Sequence, residues 1–154
     1  MSHLRKAIAL KGRRRIGKSQ TIRTVDELLR EKYPSARVGH ERRTRVDLRV
    51  VLGINGVRIG IESNSDPKSL DLFVRLGCNV IICATRTTGK TVAAVTALPG
   101  YEPGYEVAWL EQRAQSNLVQ QVLGNLAMAR DIVEEIEESI TSAKPAVLRR
   151  AAGR

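Results

Sequence analysis

The chain has 154 residues, 42% of them hydrophobic and 3% aromatic, and a formal net charge of +10. That length suits a single domain with a sizeable core, and no apolar run is long enough to span a membrane. The start, Met1 to Lys11, lacks the apolar region and cleavage site of a signal peptide, and the two histidines and two cysteines are scattered without metal-ligand spacing.

The charge is unevenly placed. Residues 1–50 carry 15 Lys/Arg against 5 Asp/Glu, and residues 51–140 carry 7 against 11. The basic excess of the N-terminal half attracts polyanions, so nucleic acid is one expected partner. Cys78 and Cys83 lie on or near one strand, are expected to face opposite ways, and suit a reduced, cytoplasmic setting.

In chain order, Ala7 to Leu10 reads as a short buried strand. Gly12-Arg13-Arg14-Arg15-Ile16-Gly17-Lys18-Ser19 follows and fits the pattern G-x-x-x-x-G-K-[ST]. The glycines let the backbone curl and approach an anion closely, and successive N–H groups then converge on it. Lys18 would reach β- and γ-phosphates, and Ser19 would place its hydroxyl on Mg²⁺. Ile22, Val25, Leu28 and Leu29 recur at helical spacing, ending near Pro34 and Ser35.

Arg37 to Arg45 is basic and aperiodic, and is read as a loop with His40 exposed on it. Val46 to Ile54 and Val57 to Ile61 alternate in polarity about Asn55-Gly56, which predicts a β-hairpin whose outer strand is a sheet edge. Ser65 or Asp66 would cap a short helix with Pro67 early in it, closed by Gly77.

Asn79 to Cys83 is apolar on both faces, as a central parallel strand requires. Ala84-Thr85-Arg86-Thr87-Thr88-Gly89-Lys90-Thr91 is a weaker copy of the first loop, with Ala in the first glycine position. The first loop is preferred as the phosphate cradle. Thr88 to Leu98 predicts a helix, Pro99 to Gly104 a loop, and Glu106 to Leu110 a last strand.

A long helix is predicted over Ser116 to Ile140. Leu118, Val122, Leu126, Ala129, Val133, Ile136 and Ile140 form its apolar stripe, which packs on the sheet or forms a homo-oligomer seam. Glu134, Glu135, Glu137 and Glu138 read as a solvated face near the helix end. Residues 141–154 read as a basic, disordered tail, leaving residues 1–140 as one nucleotide-binding domain.

The order strand, GRRRIGKS, helix, hairpin, helix, strand, helix, strand, helix resembles the P-loop NTPase superfamily over roughly residues 5–140. Ile59 to Pro67 and Ile82 to Gly89 are similar to segments of small bacterial and phage ATP-binding P-loop proteins. The resemblance implies an α/β three-layer sandwich: a mostly parallel sheet, one hairpin edge and a long C-terminal helix. It implies ATP with Mg²⁺ as the ligand.

Gly12 through Ser19, with Gln20, would then hold the nucleotide. Ser19 with Glu62 or Asp66 would face the metal. Lys18 and Arg86 would stabilise charge on the transferring phosphoryl group. Neither D-x-x-G after the hairpin nor N-K-x-D after the central strand is present, which favours adenine over guanine. A slow Mg²⁺-dependent ATPase or switch is the leading expectation. A small-molecule or nucleotide kinase, with Arg37–Arg45 or Thr85–Thr91 as its lid, and a nucleic-acid-binding module are the alternatives.

Overall fold

Ala7, Ile8, Ala9 and Leu10 are all fully buried, because the strand that carries them lies inside a sheet covered on both faces. The computed structural model describes residues 5–13, 16–64 and 66–152, with side chains to residue 142. The elements in order are β1 (Arg5–Lys11), α1 (Lys18–Lys32), β2 (Arg37–Arg43), β3 (Leu48–Ile54), β4 (Val57–Glu62) and α2 (Pro67–Arg75). They continue with β5 (Val80–Thr85), α3 (Lys90–Thr96), a 3₁₀ turn (Leu98–Gly100), β6 (Tyr105–Glu111) and α4 (Leu118–Ala152).

One six-stranded mixed sheet runs in the order β2-β3-β4-β5-β1-β6. Pairing is parallel from β4 through β5 and β1 to β6, and antiparallel from β2 through β3 to β4. Alternation along the strands divides the core into two layers. Ile8, Leu10, Ile59, Ile61 and Ile82 pack with Ile22, Val25 and Leu29 of α1 and Ala129, Ile132 and Ile136 of α4. Ala7, Ala9, Ile81 and Cys83 pack on the other face with Leu70 and Phe73 of α2 and Val95 of α3. The fold is therefore α/β, with helices on both sides of the sheet.

Several expectations hold at the level of backbone chemistry. Asn55 and Gly56 both take positive φ (51° and 81°), the conformation an Asn-Gly hairpin turn needs. The Asp66 carboxylate accepts from Lys68 N at 2.9 Å and caps α2, with Pro67 in the first turn.

Other expectations are corrected. Arg37–Arg43 is a strand, not a loop, so β2 and not the hairpin forms the sheet edge. Its residues are exposed except the half-buried Gly39, so no polarity alternation marks it. It is held by backbone pairing to β3 and by Arg43, which with Arg30 pairs with the fully buried Asp26 of α1 at 3.0 and 2.9 Å.

The stripe on α4 is half-buried at Leu126 and buried only from Ala129 onward. Leu118 and Val122 are 78% and 57% exposed, beside exposed Val119 and Leu123. The helix continues to Ala152, into the segment expected as a tail, so the acidic cluster is not at its end. Glu135 pairs with Lys6 at 3.4 Å, and Glu137 with Lys32 at 2.8 Å. Cys78 and Cys83 are free thiols in the same apolar layer, because Cys78 precedes β5 and escapes its alternation. Burial pushes both thiols up to about 12.

Candidate functional site

The site forms where β1 and β5 end side by side, Lys11 opposite Thr85. The chain leaves β1 through Gly12, whose N–H donates to Thr85 O at 3.2 Å. A Cβ on Gly12 would stand 2.5 Å from Ile16 Cδ1 and 2.7 Å from Gln112 O, so only glycine fits that close passage. Gly17 turns the chain into α1 with φ +92°, a left-handed conformation that side chains disfavour. The two glycines of the first loop thus have separate reasons, contact at one and torsion at the other.

Lys18 folds back under this turn. Its Nζ donates to Thr85 O at 2.6 Å and also to Gly12 O. The amine bridges the ends of the two central strands and borders a cleft of ≈ 270 Å³. Gly17 and Ser19 border the same cleft from the first loop. Ala84, Thr85, Arg86 and Thr91 border it from the second. The two loop motifs that compete in the sequence are opposite walls of one site. Arg86 N donates to Thr91 Oγ1 at 3.3 Å, which folds the second wall inward.

The two glycine-loop motifs each bring a cation to the cleft. Burial, and then the charge of Arg86, push the Lys18 ammonium below the usual lysine range. Among the described residues neither Lys18 nor Arg86 has a carboxylate within ion-pair distance. Thr85 borders the cleft, while its Oγ1 is buried and has no hydrogen-bond partner among the described residues.

A buried polar network props up the first loop from behind. Gln112 Nε2 donates to Ile16 O at 3.0 Å and to Asn125 Oδ1 at 2.6 Å, and Thr21 Oγ1 donates to Gln112 Oε1 at 2.9 Å. Gln121 Nε2 donates to the same Ile16 carbonyl at 2.7 Å and to Asn125 Oδ1 at 2.8 Å. Three of these side chains are 6% exposed or less: Thr21, Gln112 and Asn125. They are polar residues far apart in the chain, and no motif or periodicity marks them.

Ser19 Oγ donates to Val46 O at 3.1 Å, and this contact draws the β2–β3 connection over the loop. Asp47 consequently borders the cleft. It is the acidic side chain at this site that the sequence pattern did not indicate. Glu62 and Asp66, the expected metal-side residues, instead line an adjoining cavity of ≈ 230 Å³ that shares Asp47 and Asn64 with the cleft. Arg13 and Gln20 are exposed and outside the residues bordering the cleft, whereas Ile16 is buried and contributes its carbonyl to the network. Arg14 and Arg15 lie outside the described residues.

No protein-family model, no curated protein and no solved structure matches the chain. The functional reading therefore rests on the site's own chemistry.

Proposed function

We propose that the cleft binds the phosphates of ATP with Mg²⁺, and that the chain is a slow ATPase or a nucleotide-dependent switch. The observation that carries this reading is the convergence of Lys18 and Arg86 on one cleft, with no carboxylate paired to either among the described residues. Two cations that repel each other in a half-buried site are stabilised by an anion placed between them.

The residues present fit a magnesium ion. Mg²⁺ is held by one or two carboxylates together with water and substrate phosphates, not by an all-protein cage. The Ser19 hydroxyl spends its proton on Val46 O, which leaves its oxygen lone pairs available to a cation, and Asp47 borders the same space. Bound there, the ion would neutralise phosphate charge.

The chain's own contribution is positional and electrostatic. Lys18, fixed by two backbone carbonyls, presents a charge that moves little on binding. Arg86 approaches from the second loop, where a guanidinium can meet charge developing on the terminal phosphoryl group. Asp47 is placed to orient a water molecule. The Gln112–Asn125 network holds the loop in shape before any ligand arrives.

Isothermal titration with Mg²⁺–ATP tests the proposal. Binding is expected for the full chain and at least a tenfold loss for Lys18→Ala, with a slow release of ADP that Arg86→Ala reduces. Absence of binding, or equal binding by Lys18→Ala, overturns it.

A further inference from the structure

The cavity next to the cleft has a charge pattern that the nucleotide reading does not use. Arg42, Arg49 and Glu62 are successive cross-strand partners on β2, β3 and β4, so they stand in a row on one face of the sheet. All three border the ≈ 230 Å³ cavity, with Asp47, Asp66 and Ser69. Arg49 and Glu62 are nearest neighbours of opposite charge, yet among the described residues they form no ion pair within 4 Å. Arg49 Nε is buried without a hydrogen-bond partner among the described residues. Glu62 is 5% exposed and accepts from Asn64 N at 3.1 Å.

A buried, unpartnered guanidinium nitrogen beside carboxylates in one small space constrains the occupant. A simple anion would meet Arg49 but also Asp47, Glu62 and Asp66. A simple cation would meet the carboxylates but also Arg42 and Arg49. A neutral apolar group would leave Arg49 Nε without a partner. A short molecule carrying both charges satisfies the two sides together.

We propose that this cavity is a binding site for a small α-amino acid. Its carboxylate lies on Arg49, supported by Arg42, and its ammonium lies on Glu62 and Asp47. Arg49 presents a fork of donors suited to a carboxylate. Asp47 and Asn64 belong to both the cavity and the cleft, so the amino acid sits beside the terminal phosphate of any nucleotide bound there. Burial pushes the Glu62 carboxyl up, and an ammonium beside it brings it back down.

The test is a titration of the full-length, ¹⁵N-labelled chain with each of the twenty common amino acids singly, followed by the amide signals of Arg49, Asn64 and Ser69. At least one amino acid is expected to shift them saturably, while its decarboxylated amine and its deaminated acid bind at least tenfold more weakly. Glu62→Gln and Arg49→Met are each expected to weaken binding at least tenfold. The exposed Arg42→Ala, which leaves the core intact, is expected to weaken it several-fold should either of those variants fail to fold. Lys18→Ala is expected to bind the amino acid as the parent chain does, so failure of nucleotide binding does not imitate failure here. The proposal is overturned if no amino acid gives a saturable shift, if a ligand lacking one charge binds equally, or if the folded variants retain full affinity.

Discussion

Replacing Gly17 by Ala puts a methyl group into a close contact and onto a left-handed backbone at once. Two costs arise. An alanine at φ +92° adopts a left-handed backbone, which disfavours a side chain by about 1–2 kcal/mol. The new Cβ would also stand 2.7 Å from both Nδ2 and Oδ1 of Asn125. Asn125 is 6% exposed and held by Gln112 at 2.6 Å and Gln121 at 2.8 Å, so it cannot swing aside without breaking the network. Overpacking of that kind costs about 1–3 kcal/mol. Together they give a loss of about 3 kcal/mol, or roughly 6–12 °C in Tm for a domain of this size. Urea and thermal denaturation measure it. A double-mutant cycle with Asn125→Ala isolates the contact: once the amide is gone, Gly17→Ala should cost only the torsional part, leaving a coupling of about 1–2 kcal/mol. Strictly additive effects, or a loss below about 1 kcal/mol for Gly17→Ala alone, would refute the reasoning.

Asp26→Ala removes a fully buried carboxylate that pairs with Arg30 and Arg43, whose side chains are 31% and 40% exposed. Solvent screening of those arginines reduces the expected cost to about 2 kcal/mol, below that of a wholly buried pair. Amide hydrogen exchange should accelerate most in β2, and a uniform change across the sheet would count against the pair as β2's anchor. Glu62 titrates above the usual glutamate range because of its burial, opposed by hydrogen bonds from Ser69 and Asn64 N and by Arg49. The native state therefore holds this proton at pH values where the unfolded chain has released it, so stability falls as pH rises above the ordinary glutamate pKa. Relative to Glu62→Gln, the parent chain should lose stability across that window and level off above Glu62's raised pKa. A parallel pair of stability–pH curves would contradict the assignment.

The parts of the fold legible in the sequence are those where one local rule decides the outcome. Asn55-Gly56 forces a tight hairpin, Asp66-Pro67 opens α2, and the continuous apolar run of β5 marks a central strand. Gly12 and Gly17 are legible as a loop because backbone freedom has few sequence solutions. β2 is not legible: its residues face solvent, and its strand state comes from β3 and from Asp26, neither visible in Arg37–Arg43 itself. Asp47 gives no signal either, since it reaches the cleft only through the contact of Ser19 with Val46 O. Gln112 and Asn125 read as surface polars, and only packing shows that they are buried beneath the loop. The first turns of α4 fail for the opposite reason: helical periodicity reports which residues share a face, and Leu118 and Val122 share the right face where no layer covers it.

The level ending of β5, β1 and the edge strand β6 has a consequence for how this chain tolerates insertions and deletions. Lys11 is in register with Thr85 on one side and with Glu111 on the other. Gly12 N, Lys18 Nζ and Gln112 N all find their backbone acceptors at that rim. One residue gained or lost within β1 would turn its side chains to opposite faces and carry Gly12 past Thr85 and Gln112 together. A residue added between Gln112 and Leu118, among exposed side chains, would disturb neither register. Length variation in this protein is therefore tolerated where the chain wanders between elements and excluded where it crosses the rim.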